Sequence, residues 1–175
     1  MSIFPWRLLL FAFVLPGQQS VGALLQSRPP QAEPKAATPA ASTVAERMAD
    51  TVIELTNAER ERQRLSPLKR QEQLMAAAMK HAEDMAKNGY FSHTDQKGGQ
   101  PWDRAAAEGY AYRSCAENIA YGAKTPQQVV QMWLKSPGHR KNLLGDFTDI
   151  GVGYAQSPKK DHRAYWVQVF GVPAK

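Results

Sequence analysis

Residues 150–171 read IGVGYAQSPKKDHRAYWVQVFG. Ile150, Val152 and Tyr154 alternate with Gly151 and Gly153, and Tyr165, Val167 and Val169 alternate with Trp166, Gln168 and Phe170. A period of two is the spacing of side chains along a strand. The polar stretch SPKKDH at 157–162 separates the two runs, so the segment predicts an antiparallel hairpin. Upstream of this hairpin the apolar residues repeat at helical spacing instead. Met48, Val52, Leu55 and Glu59 share one face, with Ile53 and Thr56 beside it, which predicts a helix over 46–63 that Ser66-Pro67 ends. Leu74, Ala77, Ala78, His81 and Met85 make the inner stripe of a second helix over 71–88, stopped by Gly89. Pro101 starts a short helix with Trp102, Ala105 and Ala106 inward, and Gly109 ends it. Thr125-Pro126 opens another, with Val129, Val130 and Trp133 on one side. Ser136-Pro137-Gly138 interrupts that helix before a short turn to Leu144. Helices first and strands last predict an α+β fold with helices packed on an antiparallel sheet.

The first 45 residues do not share this patterning. Arg7 precedes an unbroken apolar run from Leu8 to Leu15; Pro16-Gly17 break it, and Val21-Gly22-Ala23 has the small residues of a cleavage site. Residues 1–23 are therefore expected to be a signal peptide, and the apolar run is too short to span a bilayer as a helix. No cysteine stands after it to take a lipid anchor. Residues 24–45 are dominated by Pro and Ala without any period, which predicts an extended tether. The folding unit is then 46–175, long enough for one ordinary core. No transmembrane helix is expected once the leader is removed, and the domain is read as a monomer.

The chain carries a net charge of +6, with basic and acidic residues interleaved as in ERERQR at 59–64. Such interleaving describes a solvated surface. There is no zinc-finger spacing, RNP motif or long basic stripe, so nucleic acid is not an expected partner. One cysteine, Cys115, excludes an internal disulfide.

Few residues suit chemistry. His93 stands in the loop segment Phe91-Ser92-His93-Thr94, Glu117 enters an otherwise apolar stretch, and His139 lies in Ser136-Pro137-Gly138-His139-Arg140. Histidine can act as a ligand or as an acid and base near neutral pH. Each residue also has a plain reading: surface polarity for His93, an ion pair for Glu117, a backbone hydrogen bond for His139. His81 reads as a satisfied core residue and His162 as a loop residue in solvent. HExxH, CxxC and GxSxG patterns are all missing, and no cysteine-protease signature surrounds Cys115.

The order of the pieces is more specific than any one of them. The chain reads TNAERERQRLSPL, MKHAEDMAKNGYFSHTDQKG, PWDRAAAEGY, CAENIAYG, WLKSPGHRKNLLGDFTDIGVGYA and YWVQVFG in turn. Over residues 48–172 this series resembles the CAP superfamily of cysteine-rich secretory, antigen 5 and pathogenesis-related proteins, most of all its bacterial SCP-domain, YkwD-like branch. The resemblance implies a three-layer α-β-α sandwich with a central antiparallel sheet and a further strand near Asn118–Tyr121. It also implies a cleft which in animal and plant members carries two His and two Glu and can bind zinc. His93 and Glu117 match one His and one Glu of that set. The second Glu position falls on Ser136 and the second His position on Tyr165, while His139 belongs to the bacterial SPGHR segment. His93, Glu117 and His139 are thus the metal candidates, zinc being possible and no cofactor required. Ser136 and Tyr165 complete the expected cleft, with Trp133, Tyr165 and Trp166 as candidate apolar walls. The function expected from this is a secreted, extracellular or periplasmic binding module for a lipid, glycan or protein partner. The alternative is a metal-assisted hydrolase or protease using His93 and Glu117.

Overall fold

Thr43 decides where the first helix starts. Its side chain accepts a hydrogen bond from the Glu46 amide at 3.1 Å, while the Glu46 carboxylate accepts one from the Thr43 amide at 2.6 Å. This reciprocal cap satisfies two amides that the helix itself cannot. The structure, a computed structural model, describes residues 43–159 and 163–175. The expected leader, the tether up to residue 42 and His162 lie outside the described residues.

The elements in chain order are α1 (Val44–Arg62), β1 (Lys69–Arg70), α2 (Glu72–Asn88), α3 (Pro101–Ala107), β2 (Tyr112–Tyr121), α4 (Pro126–Lys135), α5 (Pro137–Leu143), β3 (Asp149–Gln156) and β4 (Ala164–Pro173). The sheet order is β1-β3-β4-β2. The expected hairpin is present, with Val152 opposite Gln168 and Tyr154 opposite Trp166. β2 pairs antiparallel with β4, and the two-residue β1 pairs parallel with β3, so the sheet is mixed at one edge.

The alternation in β3 and β4 separates two cores rather than core from water. Ala164, Trp166 and Phe170 pack with Ile150, Val152 and Tyr154 against Ala49, Val52 and Ile53 of α1 and Val129, Val130 and Trp133 of α4. Tyr165, Val167 and Val169 pack on the opposite face against Leu74, Ala78, Ala82 and Met85 of α2 and Ala105 of α3. Helices thus cover both faces of the sheet, giving the three-layer sandwich. Each large side chain buried this way contributes about 1.5–3 kcal/mol.

Gly151 and Gly153 set how closely α2 can lie on β3. A Cβ at Gly151 would stand 2.1 Å from the Leu74 carbonyl carbon, and one at Gly153 would stand 2.3 Å from that of Ala78. Only glycine leaves room for helix backbone there.

Two details depart from the sequence reading. Trp102 and Ala106, expected inward with Ala105, are exposed, Trp102 by 43%; α3 is under two turns long, and it buries only Pro101 and Ala105. In α1 the buried face is Ala49, Val52, Ile53, Thr56 and Arg60, rotated away from Met48 and Leu55. Arg60 turns inward because its guanidinium ties three carbonyls, donating to Ser66, Leu143 and Gly145 at 2.9 Å each. Burial lowers its pKa.

Candidate functional site

α2 ends on Gly89, whose φ of 73° is the left-handed conformation of a helix stop. The chain then turns through Tyr90 to Thr94. His81 holds this turn from below: its Nε2 donates to the Ser92 carbonyl at 2.9 Å. Because that nitrogen carries the proton, Nδ1 of the neutral ring is an acceptor, and it has no partner among the described residues. Burial lowers the His81 pKa, so the ring is held neutral.

The turn presents His93 to β2. The His93 Nδ1 stands 2.8 Å from Oε1 of Glu117, and Arg104 Nη2 donates to Oε2 of the same carboxylate at 2.7 Å. The Glu117 side chain is only 1% exposed, whereas that of His93 is 48% exposed. Arg104, on α3, also donates to the carbonyls of Gly99 and His93 at 3.0 Å each. The result is a compact Arg104–Glu117–His93 group, buried at the acid and open at the imidazole. The sequence reading selected His93 and Glu117 but not Arg104, whose only signal was its place in the PWDRAAAEGY segment.

His139 is positioned by a different set of bonds. The Asn118 amide donates to the His139 carbonyl and to Gln168 Oε1, both at 3.1 Å. Asn142 donates to the Glu117 carbonyl at 3.2 Å and to Asn118 Oδ1 at 2.9 Å, and Gln168 donates to Thr56 Oγ1 at 2.9 Å. This chain of amides ties α5 to the outer strand β2, and onward through β4 to α1. Asn118 and Gln168 face each other directly in the sheet. Two amides at matching positions in otherwise apolar strands were the signal for the network, and the sequence reading did not use it.

His139 and Ser136 share a cleft of about 480 Å³ with Phe91, Ile119, Ala120, Tyr121, Met132 and Trp133. The Phe91 and Tyr121 rings of this lining meet edge to face, with their centroids 4.6 Å apart. Burial, with the charge of His93 added, lowers the His139 pKa. His93 and Glu117 are not part of this lining. Tyr165 is buried in the core on the α2 side, 6.4 Å from the Tyr121 ring. Trp133 walls the cleft, while Trp166 lies wholly inside the core and donates to the Ala123 carbonyl at 2.9 Å. Burial raises the Cys115 thiol to about 11, which leaves it protonated and a poor nucleophile at neutral pH. Among the described residues no three His, Cys, Asp or Glu side chains are grouped to hold a metal ion. His93, Glu117 and His139 therefore do not form the expected three-ligand set.

A two-faced α-β-α sandwich with a cleft along its edge strand is the class of protein this geometry defines. The chain belongs to the cysteine-rich secretory protein (CAP) family, whose family model matches residues 53–170. It is 45% identical over 120 residues to "Uncharacterized protein YkwD" of Bacillus subtilis, covering 68% of this chain and 45% of that one. Among solved structures it is similar to an extracellular protein containing a SCP domain from Bacillus anthracis, with TM-score 0.67 and 32% identity, covering 73% of this chain and 41% of that one. An outer surface protein from Borrelia burgdorferi shares the fold, with TM-score 0.66 and 24% identity over 71% of this chain and 92% of that one. The chain thus spans less than half the length of its Bacillus relatives.

Proposed function

We propose that this domain is an exported binding module whose edge-strand cleft takes an amphipathic small molecule. The observation that carries this is a convergence of exposed apolar surface. Among the described residues six large hydrophobics are exposed, and three of them, Phe91, Tyr121 and Met132, line this one cleft. Scattered exposed apolar residues need no explanation, but a concave group of them marks a binding surface. Ser136 and His139 give it a polar end, so a ligand with an apolar body and a polar head fits its chemistry. Tyr121 and Met132 also border a neighbouring depression lined by Gln128, Gln131 and Lys135, which offers space for a longer ligand. Export is supported by the sequence of the first 23 residues and by the extracellular relative in Bacillus anthracis. No helix among the described residues is long and apolar enough to cross a membrane.

A hydrolase or protease centred on His93 and Glu117 has less support. Both Glu117 oxygens are already engaged, and the cleft lies beside that pair rather than around it.

Titrating decanoate, a single-chain amphiphile, into the full chain tests the binding reading by calorimetry. Saturable binding is expected, weakened about tenfold or more in Met132→Glu, because a buried apolar contact of this size is worth about 1.5–3 kcal/mol. Equal binding by the wild type and Met132→Glu, or none by either, would remove this cleft as the site.

A further inference from the structure

We propose that Arg104 is the resident cation of the His93–Glu117 pair, and that it makes the pair a metal-independent hydrogen-bonding group. The family resemblance places a divalent metal at a His/Glu cleft. The residues present here do not fit one. Zinc in an open site takes about three protein ligands at about 2.0–2.2 Å. Here one Glu117 oxygen accepts from His93 and the other from Arg104. The carboxylate that would hold a dication already has a guanidinium on it, and a second cation there would be repelled at short range in a site where the acid is almost wholly shielded from water.

Arg104 is not free to swing away. Its side chain is 13% exposed, its Nη1 donates to the Gly99 carbonyl, its Nη2 donates to the His93 carbonyl, and Asp95 lies 3.8 Å from the guanidinium. The same backbone that carries His93 is therefore held by the arginine that neutralises Glu117. One residue fixes both members of the pair.

The arrangement also sets the imidazole. A carboxylate only accepts hydrogen bonds, so Nδ1 of His93 must be the donor. In the neutral ring this leaves the lone pair on Nε2, and the half-exposed side chain makes that nitrogen reachable from solvent. His93 can then accept a hydrogen bond through Nε2 from a hydroxyl, an amide or a water. Arg104 acts through the other two and is a positioning residue. This inference does not depend on what the apolar cleft binds.

Imidazole 15N NMR of the full chain, with and without one equivalent of zinc, tests it. For the neutral ring of the wild type the expected result is a proton on Nδ1 and a bare Nε2, and no change on adding zinc. Arg104→Gln removes the cation and its bonds to Glu117 Oε2 and the His93 carbonyl, and the His93 Nδ1 signal is then expected to shift. Arg104→Lys keeps a cation there and is expected to stay close to the wild type, which separates loss of charge from loss of fold. Three results would overturn the proposal: zinc shifting His93 in the wild type, a proton on Nε2 of the neutral ring, or Arg104→Gln leaving the His93 signals as they are in the wild type.

Discussion

Gly153 and His81 show how much of this site depends on single side chains, or on their absence. A methyl group at Gly153 would overlap the α2 backbone at Ala78, and helix backbone cannot step aside as a flexible side chain can. Gly153→Ala is expected to cost about 1–3 kcal/mol in urea unfolding. Gly138→Ala, where nothing lies within 4 Å, is expected to be neutral or slightly stabilising. His81 gives a pH dependence of definite sign. Its folded pKa is lowered from 6.5, chiefly by burial, so the unfolded chain binds the proton more readily. Stability is then full above about pH 6.5 and is lost as the pH falls toward the folded value. His139, whose pKa is lowered by the same cause, adds to this slope. Urea midpoints measured between pH 7.5 and pH 5 should fall in the wild type and fall less steeply in His81→Gln. Identical slopes would contradict the neutral buried ring. At this scale His81 was legible, since it sits on the inner stripe of α2. Arg104 and Arg60 were not, because an arginine in a sequence carries no sign of whether it faces water or three carbonyls.

β2 is the element on which the site is assembled, and it was the least legible in the sequence. It reads YRSCAENIAY, a mixture with no clean alternation, because it is an edge strand. Glu117 to Ala120 are buried, while the strand's first residues and Tyr121 at its end are not. The free edge is sealed by side chains in place of another strand: Asn142 donates to the Glu117 carbonyl and Trp133 Nε1 to the Ile119 carbonyl at 3.3 Å. Such sealing protects an edge from pairing with other chains. It also docks α5, and with it His139, onto the sheet. Asn142→Ala would leave the Glu117 carbonyl and Asn118 Oδ1 without these donors, so a loss of about 1–3 kcal/mol is expected. Amide exchange in α5 should rise by more than in α2. Uniform exchange across both helices would show that Asn142 does not hold α5. The hairpin β3–β4, by contrast, was legible from period alone, although its alternation divides two cores that only the positions of α1 and α2 reveal. β1, two residues long, carries no period to read.

At the scale of the whole molecule, the sheet divides the labour of the sandwich. α2 and α3 on one face bring His93, Arg104 and Glu117 together; α4 and α5 on the other supply Met132, Trp133, Ser136 and His139. The two groups meet along β2, which contributes Glu117 to the first and Ile119, Ala120 and Tyr121 to the second. The sequence reading placed His93, Glu117, His139, Ser136 and Tyr165 in one His/Glu-lined cleft, since the order of segments along the chain matched a family pattern. Order does not say which face of a strand each residue takes, and Glu117 points to the α2 side while the cleft opens along the strand's edge. The measurement that bears most directly on the cleft is a chemical-shift map of the full chain saturated with decanoate. Shifts concentrated at Phe91, Ile119, Tyr121, Met132 and His139 are the expected result. Shifts elsewhere on the surface, or none at all, would contradict the assignment of this cleft as the binding site.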